Sequence, residues 1–150
     1  MGCIFCGIVD GSIPAHVVWE GEHALAFLDS RPVFSGHTLV VPRVHVETLP
    51  ELGDDLLGPL FAAARLLAAA MPAAMAGDGT FVAVNNKVSQ SVPHLHVHVI
   101  PRRFKDGLRG FFWPRQKYAD EAEAAGVAAA IRKAVEELTT AGAYEAAKNP

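Results

Sequence analysis

The segment "HLHVHVI", residues 94–100, sets a histidine at every second position, a period that only an extended strand turns to one side. It takes three of the chain's seven histidines. On a strand His94, His96 and His98 share a face, while Leu95, Val97 and Val99 enter a core behind it. Neighbouring rings are then about 6.6 Å apart and the outer two about 13 Å. Metal bonds of about 2 Å cannot bring all three rings to one ion unless the strand bends. Three readings follow: an exposed polar rib, a two-histidine metal chelate, or an anion site. In the third, a neutral imidazole attacks phosphorus while its protonated neighbours bond phosphate oxygens. The preceding "NNKVSQSVP" favours the anion site, because Asn85, Ser89, Gln90 and Ser91 offer neutral donors.

The rest of the chain supplies a scaffold for such a strand. "AHVVWEGEHALAFLD" reads as two strands around Gly21, with Trp19, Leu25 and Phe27 as core residues. "HTLVVP" is a third strand ended by Pro42, "TFVAVNN" a fourth and "HLHVHVIPR" a fifth. Between the third and fourth, Leu56, Leu60, Leu67 and Met71 have the spacing of one buried helix face. The regular part of that helix is expected to start near Pro59, which suits a first turn, and Pro72 marks an end or a kink. "DEAEAAGVAAAIRKAVEEL" is a second helix, within about 120–140, with acidic residues at its start. This order predicts an α+β domain rather than a βαβ array. One domain is expected over residues 1–141, followed by a flexible tail, 142–150.

A net charge of −3 with no basic block excludes long nucleic acid held through many phosphates. "MGCIFCGIVDG" lacks the pattern of a signal peptide, and no apolar run approaches ~20 residues. A cytoplasmic protein that crosses no membrane is therefore expected. Cys3 and Cys6, the whole thiol inventory, form a CxxC pair. With no strand before it, the pair reads as half a zinc site rather than a redox couple, provided two more ligands exist.

"QSVPHLHVHVIPR" resembles the His-φ-His-φ-His-φ-φ signature of the histidine-triad family, where φ is apolar. "CIFCGIVDGSIPAHVVWEGEHALAFLDSRPVFSGHTLVVPRVHVETL" is similar to that family's opening half, and "FVAVNN" to the strand before the signature. The resemblance implies a homodimer whose subunit has about five antiparallel strands and two main helices. It also implies a hydrolase or transferase working at the α-phosphate of a purine nucleotide. Such an enzyme forms a nucleotidyl-histidine and releases AMP or GMP.

Carried onto this chain, the resemblance makes His96 the nucleophile, with His98 and Ser91 at the phosphate or leaving group. His37 reaches this cluster from another strand, and Asn85 and Gln90 position the phosphoryl group. Asp29 accepts ribose hydroxyls, or else simply forms a turn. Phe5, Ile13 and Phe27 line a slot for the base, or else are ordinary core. Many bacterial relatives bind zinc through CxxC, a distant histidine and the signature's first histidine, here Cys3, Cys6, His45 and His94. Two sulfurs and two nitrogens make a closed structural site, and no catalytic metal is expected. His16 and His23 match nothing in the signature and read as surface residues.

The chain departs from the family's eukaryotic branch after the signature, where "PRRFKDGLRGFFWPRQKY" and a further helix follow. That branch's C-terminal tryptophan is therefore not equated with Trp113. Arg102, Arg103, Arg109 and Arg115 read as polyphosphate contacts or as solvated charges, and Phe111, Phe112 and Trp113 as a packing patch. Two rivals belong to other classes: a nucleotide-binding module with incidental catalysis, and a metalloenzyme with catalytic zinc on His94 and His96.

Overall fold

The computed structural model describes residues 2–108 and 116–142. Strands β1 (Val17–Glu20), β2 (Ala24–Leu28), β3 (Thr38–Pro42), β4 (Gly79–Val84) and β5 (Val97–Arg102) form one sheet in the order β1-β2-β3-β5-β4. Every pairing is antiparallel, in keeping with the α+β expectation.

Strand β3 is buried at all five positions because the sheet is covered on both faces. On one face Ala24, Ala26, Val40, Val97 and Val99 join Leu60, Ala63, Ala64, Leu67 and Met71 of helix α2 (Asp54–Met75) in a core. On the other face Leu25, Phe27, Leu39 and Val41 pack with Phe5 of helix α1 (Ile4–Val9). Alternation along each strand thus sorts its residues between two apolar layers. Each fully buried Leu or Val stabilises the fold by about 1.5–3 kcal/mol relative to exposure.

Helix α2 starts five residues before Pro59, earlier than the sequence suggests. Asp54 and Asp55 occupy its first turn, where the macrodipole favours carboxylates. Pro59 removes only the donor to the Asp55 carbonyl, and Asp55 is exposed, so water can take that bond. Pro72 also lies inside the helix, which ends at Ala76 in the left-handed conformation with Gly77 N–H donating to the Pro72 carbonyl (3.0 Å). The 22-residue α2 is long and apolar enough to span a membrane, with a mean hydropathy of 1.6. Its buried face against the sheet is that of a core helix.

Helix α1 had no signal in the sequence, since six residues are too few to show a periodicity. Residues 1–106 form one compact unit and 107–150 another. In the second, helix α3 (Glu121–Thr140) is capped by Asp120, whose Oδ1 accepts the Glu123 N–H (2.8 Å), and Glu123 accepts the Ala119 N–H. Residues 143–150, the greater part of the expected flexible tail, lie outside the described residues.

The fifth strand is shorter than expected, because pairing with β3 begins only at Val97. Continued in register, Pro42 would face Leu95, and Pro42 has no N–H to offer. The chain bends away instead: Leu95 N–H donates to the Val46 carbonyl (2.7 Å), and the His94 ring takes the Pro42 carbonyl (2.9 Å). This bend separates the first histidine of the rib from the other two.

Candidate active site

His94 is fully buried, and its Nε2–H donates to the Pro42 carbonyl, so Nδ1 presents a lone pair on the opposite side. That nitrogen lies 3.5 Å from Cys3 Sγ and 3.6 Å from Cys6 Sγ, and His45 Nδ1 is 3.3 Å from Cys6 Sγ. Bonds of about 2.3 Å to sulfur and 2.0–2.1 Å to nitrogen at tetrahedral angles put sulfur about 3.6 Å from nitrogen. The four side chains therefore fit a zinc ion, with ligand atoms all within 4.8 Å of one another. Burial pushes the Cys6 thiol above its ordinary value, with the Cys3 thiol adding to it, and burial likewise lowers His94. A metal would release the thiol protons on binding.

His96 turns to the face carrying Phe5. Its Nδ1–H donates to the His94 carbonyl at 2.7 Å, which leaves the Nε2 lone pair free. A second chain of bonds sets the neighbouring rings. Val33 N–H donates to His37 Nδ1 (3.1 Å), so His37 carries its proton on Nε2 and passes it toward His98 Nδ1 (2.9 Å). His98 must then hold a proton on Nε2. Among the described residues, that nitrogen is the one buried side-chain polar atom without a partner. Burial, aided by the His96 and His37 rings and opposed by Asp29, pushes His98 down to about 4. A neutral donor therefore stands beside the His96 ring, with the two ring centroids 4.8 Å apart.

Asp29 Oδ2 lies 3.7 Å from His37 Nδ1, a spacing that also suits an ion pair. The Val33 bond occupies that nitrogen, and burial holds the ring below the ordinary histidine value. The contact is a carboxylate beside a neutral ring. The same bonds use the Nδ1 lone pairs that His37 and His98 would need to hold a metal together with Asp29. Asp29 also accepts Arg31 N–H on Oδ1 (2.8 Å) and so closes a turn.

A cavity of about 570 Å³ opens in front of these rings. It is lined by His96, His98, Ser91, Asp29, Phe5, Ile13 and Phe27, which joins seven of the sequence-derived site residues in one place. His37 sits behind His98. Asn85 and Gln90 do not reach the cavity. Asn85 Nδ2 donates to the Ser89 carbonyl (3.3 Å), and Gln90 ties Lys87 N–H to the Glu47 carbonyl (2.7 and 2.6 Å). Both brace the loop before Ser91, where Lys87 and Ser89 adopt positive φ.

Sequence reading missed His16 and Arg31, which line the cavity mouth. The hairpin register, which the sequence does not show, sets His16 there: its carbonyl accepts the Leu28 N–H (2.9 Å), one residue before Asp29. His23 is exposed, as expected. Arg102 pairs with Asp106, and Arg103 donates to the Met75 carbonyl (2.8 Å), so both have partners within the fold. Arg109, Arg115, Phe111, Phe112 and Trp113 lie outside the described residues.

Known proteins match the chain that carries this site. The HIT domain family matches residues 10–105. The chain belongs to the HIT family. A HIT relative, the protein named hit of Bacillus subtilis (strain 168), is 42% identical over 79% of this chain and 82% of its own length. An adenylylsulfatase of Arabidopsis thaliana is 32% identical over 71% of this chain and 55% of its own length. Among solved HIT structures, a zinc-bound histidine triad family protein from Mycobacterium smegmatis superposes with a TM-score of 0.69 at 33% identity, covering 94% of this chain and 98% of its own. A histidine triad nucleotide-binding protein from Candida albicans reaches 0.78 at 26% identity, covering 91% and 99%.

Proposed function

We propose that this HIT protein is a nucleotide-binding hydrolase or transferase that works at the α-phosphate of purine nucleotides through a covalent nucleotidyl-His96. The observation that carries the reading is the bond from His96 Nδ1–H to the His94 carbonyl, which aims Nε2 at the cavity. The related adenylylsulfatase and the nucleotide-binding histidine triad protein support the substrate class.

In the first step Nε2 attacks the α-phosphorus, an N–P bond forms, and the P–N or P–O bond to the leaving group breaks. The leaving group departs with that bond's electron pair and takes up a proton. The imidazole becomes cationic as it is phosphorylated, so its Nδ1–H bond to the His94 carbonyl strengthens in the intermediate. His98 Nε2–H donates to a non-bridging oxygen, with Ser91 at the phosphate or leaving group. Water then attacks the same phosphorus, the N–P bond breaks, and AMP or GMP leaves. Asp29 accepts ribose hydroxyls, and Phe5, Ile13 and Phe27 enclose the base.

Zinc in the Cys3–Cys6–His45–His94 tetrad is the accompanying proposal. The donor set and spacings support it, as does the zinc-bound mycobacterial relative. Bound there, it cross-links the chain and has no open position for substrate. Two free thiols suit a reducing compartment, in keeping with a cytoplasmic setting. A homodimer is proposed as well. Exposed Phe61 and Leu66 on α2 and exposed Val82 on the edge strand β4 support it, and light scattering at micromolar concentration reads it.

The testing experiment compares turnover of adenosine phosphoramidate by wild type and His96→Ala. The expected loss is on the order of 10⁴-fold or more. Equal rates would leave a nucleotide-binding module whose catalysis is incidental. The rival with catalytic zinc on His94 and His96 is disfavoured, because His94 Nδ1 faces the two sulfurs instead.

A further inference from the structure

Cys3 and Cys6 bracket the first turn of α1, and Phe5 lies between them. The two sulfurs face His45 and His94, while the Phe5 ring stands edge-on to His94 (centroids 5.9 Å) and to His96 (5.3 Å). Ile4, Phe5 and Ile8 of this helix make one side of the 570 Å³ cavity. Helix α1 thus touches the thiol–imidazole tetrad and the nucleotide pocket at once.

A six-residue helix is too short to persist alone, and Cys3 gives it no side-chain cap. Phe5 anchors it against Phe27 (5.3 Å), and the Gly7 carbonyl accepts the Ile13 N–H (2.8 Å). Ser12 Oγ–H also donates to the Gly7 carbonyl (3.2 Å), and Ile8 and Val9 pack against the same cluster. On the tetrad side the ties are thiol–imidazole contacts of 3.3–3.6 Å, and a thiol is a weak hydrogen-bonding group. Four bonds to one ion would replace those weak ties with strong ones. A second route passes through His94 itself, whose Nδ1 faces the sulfurs and whose carbonyl holds the His96 proton.

We propose that metal binding at Cys3, Cys6, His45 and His94 fastens α1 as the wall of the nucleotide pocket, so that metal and nucleotide bind cooperatively. Phe5 is the positioning residue that transmits the effect. The proposal rests on the nucleotide reading of the cavity. It also carries a thermodynamic obligation: the factor by which metal raises nucleotide affinity equals the factor by which nucleotide raises metal affinity.

The experiment uses the full chain, zinc-loaded and chelator-stripped. Calorimetry measures AMP binding to each form, and competition with a chromophoric chelator measures zinc affinity with and without saturating AMP. Both factors are expected to agree at about 5-fold or more. Amide hydrogen exchange on the same samples needs no nucleotide, and stripping is expected to speed exchange in residues 4–9 while β3 and β5 stay protected. His45→Ala, which removes the exposed ligand and leaves buried His94 in place, should reproduce the stripped behaviour at limiting zinc. Compared across the loaded and stripped forms, Phe5→Ala should remove most of the coupling factor, leaving only what passes through His94, and Phe5→Leu should recover most of it.

Equal AMP affinity in the two forms overturns the proposal. So does unfolding of the whole sheet on stripping, because the ion then holds the fold and not the wall. Failure of the loaded protein to bind AMP sinks the functional reading instead, and the exchange data still decide whether α1 is fastened.

Discussion

The two faces of the sheet are built for different ends. Behind it, the 22 residues of α2 cover Val40, Val97 and Val99 with a continuous apolar layer. In front, the 6 residues of α1 cover only part of the surface, and the uncovered part is the cavity holding His96 and His98. The same strand serves both, since Val97 and Val99 face one layer while the histidines face the other. A well-packed back fixes the backbone of β5 and so holds the rings in front, which is how a rigid element makes a reactive group precise.

That contrast can be broken from either side. The largest effect on the back face is expected for Leu60→Ala, which empties a site of 1% exposure and should cost about 2–5 kcal/mol in denaturant unfolding. Its turnover per folded molecule should stay near wild type; a comparable fall in kcat would show that the faces are not separate. On the front face His37→Ala should lower kcat about 100-fold, because His98 loses the bond that fixes its tautomer, while the unpaired Val33 N–H should cost about 1–3 kcal/mol of stability. Asp29→Asn keeps the turn bond to Arg31 N–H but weakens acceptance from ribose, and KM is expected to rise roughly 10-fold with little change in kcat.

The smallest effect is on stability against pH. An unfolded histidine titrates near 6.5, whereas His98 in the fold is held down to about 4. Between those values the unfolded chain binds a proton that native His98 refuses. Its contribution to stability is therefore complete above about 6.5 and is lost as pH falls toward 4. Replacing His98 with Phe should flatten that part of the stability profile, and an unchanged slope would mean that another group carries it.

Much of the front face was legible because strand alternation is a short-range code. Period two placed His96 and His98 together, whereas the assignment of His94 to the cysteines came from the resemblance to the histidine-triad family and not from the spacing. The bend that sends it there was not legible, because it depends on which residue of β3 faces Leu95, and register is a property of the folded pair. Asn85 and Gln90 resisted for a similar reason: their amides bond backbone groups of Ser89, Lys87 and Glu47, and no spacing rule separates such bracing from ligand binding. Pro59 misled because its cost inside a helix depends on whether the orphaned carbonyl can reach water.

Rapid quench of the full chain mixed with phosphorus-labelled adenosine phosphoramidate tests the account most directly. An acid-labile AMP adduct on His96 should form and decay at rates consistent with steady-state turnover. Undiminished turnover at saturating substrate with no such adduct would contradict the attack by His96 on which everything here is built.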